Sequence, residues 1–451
     1  MAVEAGLTES VKHTQAKLRL QTIAQVLGEF DGRIMGLEPD KRLQKYRKMR
    51  GSPYLFYRGS AYLFYFDVGR EWFPYHTDPE RPTWIQGDLH FENFGAFRSE
   101  TGRIVFDVND FDEGCTGSYL YDVLRMSVSI CLAMSEQERS MEEQTDAVRE
   151  YLSAYAKQIR KFAVHKEDPR YLVFDEQSTE GPIRKLLRKT EKLAASHLLE
   201  GITALEDGRR VFRWSEEIQQ PTEEERELVQ QGWTDYLKSL DAPPDQPASY
   251  YRIKDIAVKH GSGTASIGLD RFYVLIEGDS GQQALDDIII EIKEVRAPVP
   301  AYFMPYNEAF WETFSHQGKR VITTQQAMHH EADPFLGYLT LGGRQFYARE
   351  RSPYKKKLKP HKLEEPKDWS DAADCMGRIT AKMHARADAD VEHGILPYHS
   401  EEEIVRAIGK DTDAFCDYVS NRALSYAHQV KEDYALFKEW SESLEAQSSS
   451  L

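Results

Sequence analysis

The sequence predicts an α+β chain of two lobes, a small one built mainly of antiparallel strands and a larger helical one. Three observations carry that expectation. Apolar residues recur at helical spacing towards both ends, β-type runs punctuated by glycine occupy 253–348, and the polar stretch 165–249 separates the first helical region from them. These shifts divide the chain into 1–164, 165–249, 250–352 and 353–451.

Residues 8–50 read as helical, with Leu18, Leu20, Ile23, Val26 and Leu27 on one stripe and a break around Gly36 to Asp40. Pro53 ends that run, and the aromatic-rich Tyr54 to Val68 has β-type composition. It contains Phe56-Tyr57-Arg58-Gly59, where Arg58 meets either a phosphate or a carboxylate. Phe94 to Phe97 and Ile104 to Val108 flank Arg-Ser-Glu-Thr-Gly-Arg, the pattern of a hairpin. Tyr119 to Met134 places Leu120, Val123, Leu124, Val128 and Leu132 at helical spacing, and 141–163 is a second amphipathic helix.

From 165 to 249 the chain is a charged helical connection that ends in a proline-rich linker at 241–247. Ile253 to Val258, Phe272 to Ile276, Ile288 to Ile292 and Phe346 to Ala348 then read as strands of the small lobe, with a helix near 317–331 among them. Helical spacing returns from 368 through Met376, Ile379, Thr380 and Met383, and a Ser-rich tail is expected to fray.

Length allows two or three domains or one two-lobed catalytic unit. With 74 acidic against 58 basic residues, a net −16, the chain is no electrostatic platform for nucleic acid or anionic membrane. Cys115, Cys131, Cys375 and Cys416 show no C-x-x-C pair, as expected for free thiols in a reducing compartment. The N-terminal residues show no basic flank before an apolar run, and nowhere do eighteen apolar residues follow one another, so a cytoplasmic location without membrane contact is expected.

The chemistry concentrates in 84–113. Trp-Ile-Gln-Gly-Asp-Leu-His-Phe-Glu-Asn-Phe-Gly and Ile-Val-Phe-Asp-Val-Asn-Asp-Phe-Asp-Glu crowd carboxylates onto two loops that the hairpin brings together. Crowded carboxylates repel and resist burial, and a divalent cation with phosphate behind it offsets that cost. Asp88 and Asn93 stand five apart, the spacing at which a kinase loop offers a carboxylate to a substrate hydroxyl and an amide oxygen to magnesium.

A second cluster opens the small lobe. Lys259-His260-Gly261-Ser262-Gly263-Thr264-Ala265-Ser266-Ile267-Gly268 lies between two expected strands, where glycines let N–H groups approach an anion. The spacing G-x-G-x-x-x-x-G also suits a plain flexible turn. Lys293, among isoleucines, either snorkels at a sheet edge or serves a bound anion. A glycine loop, a strand lysine, an Asp-x4-Asn loop and an Asp-Phe-Asp loop together form the set that holds Mg-ATP and orients an acceptor hydroxyl.

Ser52-Pro53 with Phe56-Tyr57-Arg58-Gly59, Gly87-Asp88-Leu89-His90 with Asn93-Phe94-Gly95, Phe106-Asp107 with Asn109-Asp110-Phe111-Asp112-Glu113, Lys293-Glu294, Gly318 with Arg320-Val321 and Gln325, and His384-Ala385-Arg386 resemble the bacterial DUF2252 family. The central motif is also similar to that of aminoglycoside and choline phosphotransferases of the protein-kinase-like superfamily. That resemblance implies a two-lobed, protein-kinase-like fold. Yet Asp88 precedes Gly261 and Lys293, the reverse of kinase order, while Cys375 to Ala385 resembles the helix that normally leads into the catalytic loop. A circular permutation is expected, with the old ends joined through 165–249. Two positions depart from the pattern: Gln325 stands where a helix glutamate pairs with the lysine, with Glu331 farther on, and Gln86 replaces the histidine before Gly-Asp.

The resemblance implies ATP and Mg²⁺ as cofactors and a hydroxyl-bearing acceptor. Asp88 is the expected base or hydroxyl orienter, otherwise a loop cap. Asn93 and Asp110 are the metal-ligand candidates, and Asp107 and Asp112 either add to that site or cap turns. Gly261, Ser262, Gly263, Thr264, Gly268 and Lys293 are the nucleotide-binding candidates. His90 reads as a loop brace, Asp122 as a brace of the catalytic loop, and Arg349 lies near the interlobe hinge with its role open. The leading reading is an ATP- and Mg²⁺-dependent phosphotransferase. A nucleotide-binding pseudokinase and an AMP-transferring kinase-like enzyme are alternatives. A two-metal phosphoesterase fits Asp88-Leu89-His90, but the Gly-Asn-His expected of that class does not occur in the sequence.

Overall fold

The structure, a computed structural model, describes residues 2–448 other than 100, 194, 241–248, 261–266, 279–285, 330–332 and 392–394. Helix α1 (Ala2–Gly28) continues through a π-helical turn, Glu29–Ile34, breaks at Gly36 (φ +59°) and resumes as α2 (Pro39–Met49). This arm lies along the C-terminal helix, and Arg19 joins Asp433 to Asp67.

The β-type expectation for 54–68 is not met, because α3 (Pro53–Gly59) and α4 (Ala61–Val68) are helices. The Ser52 hydroxyl accepts the Leu55 N–H and Pro53 occupies the first turn, a start signal that outweighs the aromatic composition. Tyr54, Phe56, Tyr57, Phe64 and Tyr65 are all buried, and such burial satisfies aromatic side chains as well on a helix as on a strand.

Strand β1 (Thr83–Ile85) leads into the first acidic loop, and β2 (Phe94–Arg98) pairs antiparallel with β3 (Ile104–Val108) as the expected hairpin, Phe94 opposite Val108. The chain returns through β4 (Cys115–Gly117), which pairs with β1, so both acidic loops leave one short ribbon. Helices α5 (Tyr119–Ser135) and α6 (Met141–Ala163) follow as the periodicity predicts.

The connection divides between the lobes. Helix α7 (Gly181–Glu191) packs on the helical lobe, whereas α8 (Ala195–Ile202), the ribbon β5 (Thr203–Glu206) and β6 (Arg209–Phe212), the edge strand β7 (Ile218–Gln219) and α9 (Glu223–Lys238) build out the small lobe. The linker at 241–247 lies outside the described residues, as does most of the glycine segment.

The small lobe is an antiparallel sheet of β8 (Ile253–Lys259), β9 (Arg271–Ile276), β10 (Ile288–Glu294), β11 (Gly337–Leu341) and β12 (Arg344–Glu350), in the order β11-β12-β10-β9-β8-β7. Between β10 and β11 stand α10 (Glu308–Thr313) and α11 (Gln317–Met328). Alternation divides the sheet's two faces. Ile256, Val274, Ile290 and Ile292 pack with Val229, Trp233 and Tyr236 of α9. Ala257, Tyr273, Leu275 and Ile289 form the other face with Leu199 and Phe212.

Strand β13 (Lys355–Lys357) adds to β2 and returns the chain to the helical lobe, completed by α12 (Pro366–Arg386), α13 (Ser400–Ile408) and α14 (Thr412–Ser448). The Ser-rich end beyond Ser448 lies outside the described residues. Helix α12 packs closely along α6 at Gly377, where a Cβ would come within 2.3 Å of the Tyr151 carbonyl oxygen. The four cysteines are free and buried. No helix among the described residues is long and apolar enough to cross a membrane. The fold is therefore α+β, with small antiparallel sheets set against a helical body.

Candidate active site

Three helices fix the exit of β1. The Asp122 carboxylate on α5 accepts the N–H groups of Gln86 (2.6 Å) and Gly87 (2.9 Å), and His384 Nε2 of α12 lies 3.2 Å from the same carboxylate. His384 Nδ1 in turn meets the Tyr155 hydroxyl of α6 at 2.9 Å. Gly87 has φ +88°, and a Cβ there would strike the Glu113 carbonyl oxygen at 2.1 Å, so only glycine lets the two acidic loops approach this closely. Gln86 ties them together: its Oε1 accepts the Asp88 N–H and its Nε2 donates to the Asp110 carbonyl.

Asp88 follows directly. Arg125, fully buried on α5 and stacked over Tyr57, donates through Nε to Asp88 Oδ1 at 2.6 Å. Burial raises the Asp88 carboxyl, Arg125 opposes that, and nearby Asp110 adds to it, leaving the group above its ordinary value. Asn93 closes the loop, its Oδ1 accepting the His90 N–H at 2.7 Å. His90 is buried, and burial with Arg58 and Arg125 close by holds its imidazole neutral, well below the usual value.

The second acidic loop faces the small lobe. Lys293, from β10, forms an ion pair with Asp112 Oδ2, while Asp112 Oδ1 is buried without a hydrogen-bond partner. Burial alone would lift Asp112, but Lys293 outweighs it and holds the carboxyl below the usual range; Asp112, with Asp110 adding, likewise raises Lys293 against its burial. Asp110 also bears on Arg349 and on Lys355. Arg349 pairs with Glu291 at 3.0 Å, as does Arg271, so the lysine strand carries an ordered charge ladder on its cleft face.

Other candidates have different partners. Asp107 is paired with Lys382 of α12, both buried, and its Oδ1 accepts the Val108 N–H. Arg58 meets a carboxylate, Glu92, at 3.2 Å and stacks over Tyr54. Gln325 is buried at a cavity of about 550 Å³ that Asn109, Arg349 and Lys355 also line. A smaller cavity of about 70 Å³, lined by Asp88, Asp112, Glu113 and Arg58, is roofed by Phe30 and Met35 of the N-terminal arm. The acidic loops thus stand between the two cavities. Gly268 has φ +85° and abuts Leu37, whereas Gly261, Ser262, Gly263, Thr264 and Glu331 lie outside the described residues.

Sequence reasoning gave no role to Arg125 or Arg320. Arg320, buried on α11, donates to the carbonyls of Asp112 (2.8 Å), Gly114 (2.6 Å) and Arg296 (3.0 Å), clamping the second loop to the small lobe. Each arginine stands among apolar residues of a buried helix, Arg125 between Leu124 and Met126 and Arg320 before Val321, and a charge on such a helix needs a buried partner.

A family model described as an uncharacterised protein conserved in bacteria (DUF2252) matches residues 38–440, from the second helix of the arm into the last helix. The chain belongs to the DUF2252 family. No curated protein and no solved structure matches it. The DUF2252 match spans both acidic loops, Lys293 and α12, while Phe30 and Met35 over the smaller cavity precede it.

Proposed function

We propose that this DUF2252 chain is an ATP- and Mg²⁺-dependent phosphotransferase on a kinase-like, circularly permuted fold, acting on a hydroxyl of a small molecule or protein. The observation that carries the reading is the Lys293–Asp112 ion pair, which joins the small-lobe sheet to the acidic loop beside Asp88. The order of elements supports it. Strand β8, the glycine segment, β9, β10 with its lysine, and then α11 follow one another as the phosphate-covering loop, lysine strand and pairing helix do in a kinase small lobe. Helix α12 reaches the Asp88 loop through His384 and Asp122, although more than 250 residues separate those two in the chain. Four buried free thiols suit the cytoplasm.

The residues present fit Mg-ATP. Asp112 Oδ1 is a buried acceptor without a partner, Asp110 supplies a second carboxylate, and Lys293 and Arg349 bring positive charge beside them. Asp110 and Asp112 would hold the magnesium, which would neutralise charge developing on the phosphate. Both Arg125 contacts use Asp88 Oδ1, which fixes the carboxylate and leaves Oδ2 to accept from an acceptor hydroxyl. Asn93 is a weaker ligand candidate because its Oδ1 already accepts the His90 N–H.

A pseudokinase is the second reading, favoured by one observation: among the described residues, Lys293 pairs with Asp112 and not with a carboxylate of α11. Incubating the chain with γ-labelled ATP, Mg²⁺ and a pool of hydroxyl-bearing metabolites and proteins separates the two. Transfer of label that Asp88→Asn abolishes, with ATP affinity kept within a few fold, is the expected result. Binding without transfer would leave the pseudokinase, and absence of binding would end both readings.

A further inference from the structure

Where the chain turns from α12 into α13, ligand-type side chains meet outside the cleft. Asp388 lies just past the end of α12, while His399 and Glu401 flank the start of α13. One donor atom from each falls within 4.8 Å of the other two. His399 Nδ1 stands 3.8 Å from Asp388 Oδ2 and 3.9 Å from Glu401 Oε1. Asp388 is 1% exposed and Glu401 4%, so two carboxylates are buried side by side. Such a pair is costly unless a shared proton or a positive charge joins it. Among the described residues the ion-pair partner of both is His399, and no lysine or arginine pairs with either.

Two donor atoms of the cluster lack hydrogen bonds. Glu401 Oε2 and His399 Nδ1 are buried without a hydrogen-bond partner among the described residues. Asp388 is already aimed, because its Oδ2 accepts the Ser400 N–H at 2.7 Å and its Oδ1 the Asp390 N–H at 3.1 Å.

We propose that Asp388, His399 and Glu401 form a binding site for one divalent transition-metal ion of the zinc or manganese class. Zinc holds imidazole nitrogen and carboxylate oxygen at about 2.0–2.2 Å, which sets neighbouring donors in a tetrahedron about 3.4 Å apart. The observed 3.8 and 3.9 Å close to that spacing with a small side-chain movement. One nitrogen and two oxygens suit zinc or manganese better than a soft ion such as Cu(I), and three protein ligands leave a position for water. The His399 side chain is 39% exposed, which gives the ion a path from solvent. The ion would staple the end of α12, the helix that carries His384, to α13.

The test uses the full chain in an Asp110→Asn background, which removes a cleft carboxylate, after EDTA treatment and dialysis. If that variant does not fold, the unaltered chain with its cleft filled by excess Mg²⁺ replaces it. ZnCl₂ and MnCl₂ are titrated calorimetrically, and melting is followed with and without each ion. The expected result is one ion per chain and a melting temperature raised by several degrees. His399→Ala and Glu401→Gln should each weaken binding at least about tenfold and remove the shift. Absence of stoichiometric binding, or binding that His399→Ala leaves unchanged, would overturn the proposal. So would a Glu401→Gln chain that melts higher in EDTA while its parent binds no ion, since the two carboxylates would then share a proton instead.

Discussion

Lys293 and Lys382 are both buried lysines paired with aspartates of one acidic stretch, and their surroundings give them opposite tasks. Lys293 reaches across from the small lobe to Asp112, whose charge raises it against its burial. Lys382 sits inside the helical lobe, where burial pushes its ammonium down despite Asp107. Lys293→Ala is therefore expected to weaken ATP binding and, because it strands Asp112, to cost stability as well, read separately by calorimetry and denaturant unfolding. Lys382→Met should strand Asp107 and lower stability by about 3–5 kcal/mol, and the double variant with Asp107→Leu should recover much of it. A double variant as unstable as the single one would show that the loss does not come from stranding the Asp107 charge. Lys355 supplies a pH test. Burial, with Arg349 beside it, pushes this half-buried ammonium down to about 7, far below an unfolded lysine. Between about pH 7 and the ordinary lysine range near 10.4 the unfolded chain binds the extra proton, so this group's contribution to stability rises with pH across that window. Melting followed from pH 7 to 9 should show the native chain gaining on Lys355→Met, and parallel curves would contradict the assignment.

At the scale of elements, local signals are readable in the sequence, while most individual side-chain pairings across the chain are not. The β2–β3 hairpin, the strand ending in Lys293, α5, α6 and α11 follow from periodicity and turn residues near each position. Helices α3 and α4 were misread because aromatic composition reports burial, and burial does not choose between helix and strand; the Ser52-Pro53 start signal carried the information. Which partner each acid takes was not legible, since Lys382 lies 275 residues from Asp107 and Arg125 stands 37 beyond Asp88. The same holds for the stretch 165–249, whose polar composition concealed that β7 and α9 complete the small lobe. One glycine tests how tightly α12 is held against α6. At Gly377 a side chain would collide with the Tyr151 carbonyl, so Gly377→Val is expected to cost about 3 kcal/mol or more in denaturant unfolding. A loss below about 0.5 kcal/mol would mean that the two helices separate easily.

Across the whole molecule, the cleft depends on elements from distant parts of the chain. The acidic loops come from 86–93 and 109–113, the lysine strand from β10, and the helix behind the Asp88 loop from α12. In kinase order these would run from small lobe to α12 to acidic loops, and the permutation we propose would change that linkage while keeping the contacts. A ligand that bridges both lobes should stabilise them together. ATP with Mg²⁺ at a hundred times its dissociation constant is expected to add about 2.7 kcal/mol to unfolding, and EDTA should remove most of it. The most direct measurement is a crystal structure with a non-hydrolysable ATP analogue and Mg²⁺. The account predicts the triphosphate between Lys293 and the Asp110-Phe111-Asp112 loop, metal on those carboxylates, and Asp88 Oδ2 facing the terminal phosphate. Nucleotide bound elsewhere, with the Lys293–Asp112 pair intact and the cleft without it, would contradict that account.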